Sequence, residues 1–379
     1  MADLDGDSWT WWRQRRPRAE HLHFDSAAAG RSSVTTLRVV AGHTEREAVL
    51  GGYVAQAEAE PVLDRGREDL GELLGVPADG VAFVENAEAA LDRLLRIWPL
   101  AEGDTVVVAP SEWGPNLHAF AERGLRIAQT AADGDGLVDL AALERLLASD
   151  PPAAVHLTQV ASHRPLVQPV AAVAAICAAA GVPLWVDAAQ ALGHVPTACG
   201  ADVVYSTSRK WLTGPRGVGV LAVAGQWWDK LRIQPPELLR GAFGTPLRYV
   251  EPGEAHMAGR IGLCNAVREF IEAGQEAVWQ RLAEVGTQTR EALADLPGWS
   301  VVPAPAGAGS AITGLRPDEG QSVTETRSRL LAEHSIVTTA ALPGRAPREM
   351  TGPLLRVSPH VDCTADDLAR LHKALRALS

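Results

Sequence analysis

The chain has 379 residues, of which 46% are hydrophobic, 21% charged and 5% aromatic. At roughly 150 residues per domain it holds about two domains, which rules out a disulfide-stapled miniature scaffold. Its 46 Asp and Glu outweigh 35 Lys and Arg for a formal charge of −11, with no block of like charges among them. Such a surface repels nucleic-acid phosphates and anionic lipid, so neither nucleic acid nor membrane is an expected partner.

The opening stretch carries Asp3, Asp5 and Asp7, then Trp9, Trp11 and Trp12 among Arg13, Arg15 and Arg16. It has no apolar core of the kind a secretory signal needs. From there the chain alternates short apolar runs with helical patterns. The spacing predicts strands over 81–85, 105–109, 153–160, 183–187, 202–206 and 218–223. Helices are predicted over 87–98, 116–122, 137–147 and 170–180. Strands separated by helices imply crossover connections and a largely parallel α/β sheet. Sheets of this kind bind ligands at the carboxyl ends of their strands. The uncharged run over 167–186 is broken by Pro169, Gly181 and Pro183 and reads as a buried helix feeding a strand, not a membrane span.

Beyond residue 230 the pattern changes. Pro235-Pro236 and the Gly/Pro-rich stretch 241–252 read as a connection between domains. A long helix is predicted over 262–289, an irregular stretch over 303–310 and a closing helix over 366–378. The expected division is an N-terminal segment 1–20, a large domain 21–250 and a small C-terminal domain 251–379. Cys177, Cys199, Cys264 and Cys363 form no C-x-x-C pair, so no metal site is expected and a reducing, cytoplasmic setting suits them.

Two clusters carry chemistry. Asp187-Ala188-Ala189-Gln190 directly follows a predicted strand. Read alone, Asp187 either caps a helix or reaches a ring held over the sheet. The second cluster runs Tyr205-Ser206-Thr207-Ser208-Arg209-Lys210-Trp211, with Gly214, Gly217 and Gly219 permitting tight turns after it. Lysine is scarce: Lys210, Lys230 and Lys373 are all there are. Read alone, Lys210 is either a surface residue of a Gly-rich turn or an amine that attacks an aldehyde. The second role requires burial or neighbours to lower its pKa.

Asp187 stands 23 residues before Lys210, each at the end of its own strand with one helix expected between them. This order, the opening His23-Phe24-Asp25-Ser26-Ala27-Ala28, and a hydroxyl residue three before the lysine resemble fold-type I pyridoxal-phosphate enzymes. The branch they resemble is that of class V aminotransferases and cysteine desulfurases, and the resemblance covers nearly the whole chain. It implies a large domain with a mostly parallel sheet flanked by helices, a smaller α/β C-terminal domain, pyridoxal 5'-phosphate as cofactor and a homodimer.

The resemblance also implies roles. Lys210 would bond the cofactor aldehyde and then move protons, and Asp187 would pair with the ring nitrogen. Gln190 would meet the phenolic oxygen, with Ser162 or His163 nearby. Thr207, Arg209 and the turn at Asn86-Ala87 would hold the phosphate at a helix N-terminus. Trp113 would stack on the ring, unless it is an ordinary core tryptophan. Ala28 and Arg356 would contact the substrate, Arg356 gripping its α-carboxylate. Arg260 stands where relatives often have a threonine that reaches the neighbouring subunit. It either supplies a cationic phosphate contact across the dimer or makes a surface pair.

Cysteine desulfurases need a nucleophilic cysteine on the loop before the carboxylate-binding arginine. The stretch 342–351 has none, and Cys363 follows Arg356. What remains is β-elimination, transamination or epimerisation, all beginning with removal of the Cα proton. The Trp-bearing N-terminus, Ser111-Glu112-Trp113-Gly114 and Ser208-Arg209-Lys210-Trp211-Leu212 resemble the family's carbon–sulfur lyases. That implies a small amino-acid sulfoxide substrate, with an aminotransferase or epimerase as the alternative.

Overall fold

The structure is a computed structural model describing residues 9–235 and 237–378. Asp3, Asp5, Asp7 and Pro236 lie outside them. A short helix, α1 (Thr10–Gln14), and a short strand, β1 (Leu22–His23), lead into two long helices, α2 (Val34–Leu50) and α3 (Gly52–Leu74). Neither long helix was expected, because Gly51-Gly52 and the internal Pro61 read locally as breakers.

Then come β2 (Val81–Val84), α4 (Ala87–Ile97), β3 (Thr105–Val108), α5 (Gly114–Glu122) and β4 (Arg126–Gln129). They are followed by α6 (Leu140–Ser149), β5 (Ala154–Thr158), α7 (Val170–Ala180), β6 (Leu184–Asp187), β7 (Val203–Thr207) and β8 (Gly219–Val223). The seven strands form one sheet in the order β2-β8-β7-β6-β5-β3-β4. Only β8 runs against the others. The edge strand β4 was not expected: its four residues are half-exposed and carry no apolar run.

Alternation along the strands sorts side chains into two cores. Val155, Leu157, Leu184, Val186 and Val204 enter one, and Ala154, Trp185, Val203 and Tyr205 enter the other. Helix α7 ends at Gly181, whose φ of 67° makes the left-handed cap that glycine accepts cheaply. The helix expected between Asp187 and Lys210 is absent. Residues 188–202 form turns there, with Pro196 and left-handed glycines at 193 (φ 83°) and 200 (φ 76°) breaking any helix.

Past residue 230, short 3₁₀ turns lead to α8 (Met257–Glu272) and α9 (Gln275–Ala292). The single helix expected over 262–289 is thus two, broken at Gly274 (φ 85°). Next come β9 (Trp299–Val301), β10 (Thr313–Pro317), α10 (Val323–His334), β11 (Ile336–Val337), β12 (Thr339–Ala341), β13 (Leu354–Val357) and α11 (Ala365–Leu378). Strands β12-β13-β10-β9 form an antiparallel sheet around its own core, which includes Leu315, Leu330, Leu355 and Leu371. Strand β1 pairs in parallel with β11, and Asp25 bridges to Ser358. That pairing carries the start of the chain across to Arg356. Helix α8 packs chiefly on α2 and α3, although it follows the expected boundary at 250. Among the described residues no helix is long and apolar enough to cross a membrane.

Backbone approaches set the geometry near the turn into α4. A Cβ on Gly219 would lie 2.5 Å from the Ser206 carbonyl oxygen and 2.9 Å from Asn86 Cα. Gly219→Ala is therefore expected to cost about 1–3 kcal/mol through overpacking. Urea denaturation of the cofactor-free protein measures it, and an unchanged midpoint contradicts this packing.

Candidate active site

Strand register builds the floor of the site. Thr158 pairs with Asp187, and Asp187 pairs with Tyr205. The three stand in a row on the face shared with Trp185, Thr158 and Asp187 ending β5 and β6 and Tyr205 midway along β7. Above them lies a cavity of about 260 Å³. Asn86, Ala87, Trp113, Asn116, Ser162, Asp187, Gln190, Thr207, Arg209 and Lys210 all border it.

Asp187 is buried and held from two sides. Its Oδ1 accepts from the Ala189 N–H at 2.8 Å, and its Oδ2 accepts from Asn116 Nδ2 at 2.9 Å. The same Asn116 nitrogen donates to Glu112 Oε1 at 2.9 Å, so Asn116 bridges two carboxylates. Glu112 also accepts from Thr158 Oγ1 at 2.6 Å and the Trp113 N–H at 2.9 Å, while its Oε2 faces His156 Nδ1 at 2.9 Å. His156 Nε2 in turn meets the Tyr205 hydroxyl at 2.8 Å. Burial pushes Glu112 up, but His156, Thr158 and Asn116 outweigh it and hold the carboxyl below its ordinary range. Burial, then Asp187 and Glu112, push the Tyr205 hydroxyl well up, so it keeps its proton. The sequence reading missed Glu112 and Asn116. Their spacing of four around Trp113, at the start of α5, was the available signal.

Lys210 opens partly onto the cavity, with protein on its other sides. Burial lowers its amine to about 7, Asp187 opposes that, and Arg209, Arg356 and Arg345 add to it. Gln190 cannot turn over. Its Oε1 accepts from the donor-only Trp211 indole at 2.9 Å, and its Nε2 donates to the Ala27 carbonyl at 2.8 Å. One amide hydrogen remains. Arg209 donates to the Ala28 carbonyl. The Asn86 side chain caps α4 by accepting from the Ala89 N–H at 2.8 Å. The first-turn N–H groups of Ala87 and Glu88 are left without intrahelical acceptors.

Arg356 is completely buried. Its Nη1 donates to the Ser162 carbonyl at 2.9 Å and its Nη2 to Asp25 Oδ1 at 2.9 Å, while Nε has no partner. His163 turns away from the cavity to pair with Glu349 at 3.0 Å, which Arg164 also contacts. Glu349 belongs to the segment that precedes Arg356, and these contacts fasten it down. In that segment Arg345 lies 5.5 Å from the Trp113 ring centroid. Arg260 does not make the surface pair considered from sequence. It is buried, 2.9 Å from Glu251, with Arg67 on the same carboxylate.

The donor set fits pyridoxal phosphate. A weakly basic amine suits the aldehyde, and a carboxylate with uncommitted lone pairs suits a protonated ring nitrogen. Free N–H groups at the start of α4, with Thr207 and Arg209, suit a phosphate.

The family described as aminotransferase class V matches residues 23–371 of the chain. A probable hercynylcysteine sulfoxide lyase from Mycobacterium tuberculosis is 46% identical over 369 residues, 97% of this chain and 92% of its own. A cysteine desulfurase from Thermococcus onnurineus superposes with a TM-score of 0.82 at 19% identity, covering 95% of this chain and 94% of its own. The cystine C–S lyase C-DES, solved with cysteine persulfide, gives a TM-score of 0.82 at 18% identity, covering 94% and 98%. At those identities the two structures speak for the fold.

Two outcomes follow from this geometry. The folded protein resists protonating Lys210 below its ordinary range, so the amine costs stability that is fully lost below about pH 7 and regained as pH rises toward 10.5. Lys210→Met should raise the melting temperature of the cofactor-free protein at pH 7, and the gain should shrink by pH 9.5; a gain that grows with pH contradicts the assignment. Asn116→Leu removes a donor from two buried carboxylates at once. Titration of the cofactor-free variant with pyridoxal phosphate should show affinity weakened by about tenfold or more, and wild-type affinity would remove Asn116 from the site.

Proposed function

The chain belongs to the class V aminotransferase family, and from that premise we propose that it is a pyridoxal-phosphate-dependent carbon–sulfur β-lyase. Its substrate is hercynylcysteine sulfoxide, a cysteine sulfoxide joined to the imidazole of a trimethylated histidine. The observation that carries this reading is the near-full-length kinship to the mycobacterial relative. The absence of any cysteine from 342–351 agrees with it, because a desulfurase needs a thiol there.

The reaction breaks the Cβ–S bond. Sulfur leaves with the bonding pair as a sulfenic acid, which an external thiol reductant then takes to ergothioneine with two electrons after release, and the three-carbon fragment takes up water to become pyruvate and ammonia. When bound, the cofactor supplies a protonated ring that takes up the electron pair left at Cα. Lys210 Nζ, with a pKa near 7, removes the Cα proton and can release it again at neutral pH. Asp187, fixed by Ala189 and Asn116, holds the proton on the ring nitrogen. Gln190 offers its remaining amide hydrogen to the phenolic oxygen, beside Ser162. Trp113, which borders the cavity, would stack on the ring. Thr207, Arg209 and the N–H groups at Asn86-Ala87 hold the phosphate. Arg356 turns its unpaired Nε to the α-carboxylate, and the Ala28 backbone borders the amino-acid end of the substrate. We assign the enzyme to the reducing cytoplasm as a homodimer; its four unpaired thiols suit that compartment.

Purified enzyme loaded with cofactor should release pyruvate from hercynylcysteine sulfoxide, and Lys210→Ala should abolish the release. An aminotransferase or epimerase would begin with the same proton removal yet release no pyruvate. That result, with cofactor visibly bound, would replace the lyase reading.

A further inference from the structure

Arg345 is a cation that the chemistry above leaves unused. It ends a single 3₁₀ turn, Pro343–Arg345, held in place on two sides. The Gly344 carbonyl packs so tightly on α5 that a Cβ on Gly114 would lie 2.1 Å from it. Further along, Glu349 is fastened by His163 and Arg164. The segment is therefore built to present Arg345, not merely to pass by.

The guanidinium it presents has no charge partner. Among the described residues, no carboxylate lies within ion-pair distance of Arg345. Asp25 is the nearby acid; it acts on Arg345 only through space, and its Oδ1 accepts from Arg356 at 2.9 Å and from Thr339 at 2.6 Å. Burial first, then repulsion from Arg356 and, more weakly, Arg209, lowers the Arg345 pKa to about 10 against the opposing pull of Asp25. A half-buried guanidinium kept against two others calls for an anion from outside the chain. Under the lyase reading the cofactor phosphate already has its donors at Asn86-Ala87, Thr207 and Arg209 on the cavity wall. Depth separates the two remaining arginines: Arg356 is wholly enclosed, while Arg345 is partly open to solvent. For a substrate anchored at Lys210, the enclosed Arg356 would then serve the inner anionic group and the more open Arg345 an outer one.

We propose that Arg345 is a specificity-determining residue that binds a second carboxylate, carried by the substrate beyond its sulfur atom. A guanidinium stacked near the Trp113 ring offers a planar fork to such a group. The inference rests on the lyase reading, since the hercynyl group carries a carboxylate of its own beyond the sulfur.

The test compares pyruvate release from S-(carboxymethyl)cysteine sulfoxide and its isosteric neutral amide, S-(carbamoylmethyl)cysteine sulfoxide, alongside hercynylcysteine sulfoxide. Wild-type enzyme should favour the carboxylate over the amide in kcat/KM. Arg345→Gln should shrink that ratio by about tenfold or more, chiefly through KM, and should raise KM for the hercynyl compound by a similar factor. Arg345→Lys, which keeps the charge without the fork, should retain part of the preference. An unchanged ratio in Arg345→Gln, or equal losses on carboxylate and amide, overturns the proposal. If wild-type enzyme spares the hercynyl compound but cleaves the two simpler sulfoxides, the substrate assignment falls while their ratio still decides Arg345.

Discussion

The site depends on one carboxylate held as an acceptor at the end of a central strand. Asp187 can serve a ring nitrogen only if its own hydrogen bonds leave it ionised and fixed. The Ala189 N–H and the Asn116 amide supply that. Asn116 in turn cannot rotate, because Glu112 requires the same nitrogen as a donor. Behind Glu112, His156 and Tyr205 complete a buried chain in which each polar atom meets a complementary one. A partly satisfied network at that depth would be worse than an apolar core. This one is specified by strand register: slipping β5 or β6 by one residue would send Thr158 or Asp187 to the opposite core.

Around that anion the protein gathers cations. Lys210, Arg209, Arg345 and Arg356 repel one another across a small space, and Asp25 makes its ion pair with Arg356 while acting on Arg345 and Arg209 only through space. The result is an amine that sheds its proton near neutrality and a cavity charged to receive anions. Stability is given up for function here, as is common where ionisable groups are buried without partners. The small sheet contributes by topology, since the pairing of β1 with β11 brings Asp25 to Arg356. His194 ties the two parts together, meeting the Gln190 carbonyl at 2.8 Å and accepting from the Ala311 N–H at 2.8 Å. Burial pulls this imidazole down to about 3, so it stays neutral.

The central sheet and its strand-end polar residues were legible because strand-length apolar runs and short motifs are local signals. Order and spacing set Asp187, Gln190 and Lys210 after strands, and the family resemblance supplied their expected roles. What escaped were features that depend on partners far away in sequence. Glu112 looked like a neighbour of Trp113 until β5 brought His156 and Thr158 beside it. Arg260 read as a cross-subunit phosphate contact or a surface pair, and its buried pairing with Glu251 lies outside what its neighbours in sequence could show. Helices α2 and α3 were not predicted: Gly51, Gly52 and Pro61 interrupt the local pattern, and both helices pack chiefly on the distant α8. The run over 262–289 showed helical content but not its break, because Gly274 reads as a breaker only once its left-handed backbone is seen.

The most direct test of Lys210 as the site's nucleophile uses the chain's scarcity of lysine. Pyridoxal phosphate bound to the purified protein is fixed with borohydride, and the modified peptide is identified by mass spectrometry. Label is expected on the peptide carrying Lys210 and none on those carrying Lys230 or Lys373. Label on either of those two, or none on Lys210 while the cofactor is bound, would contradict that role.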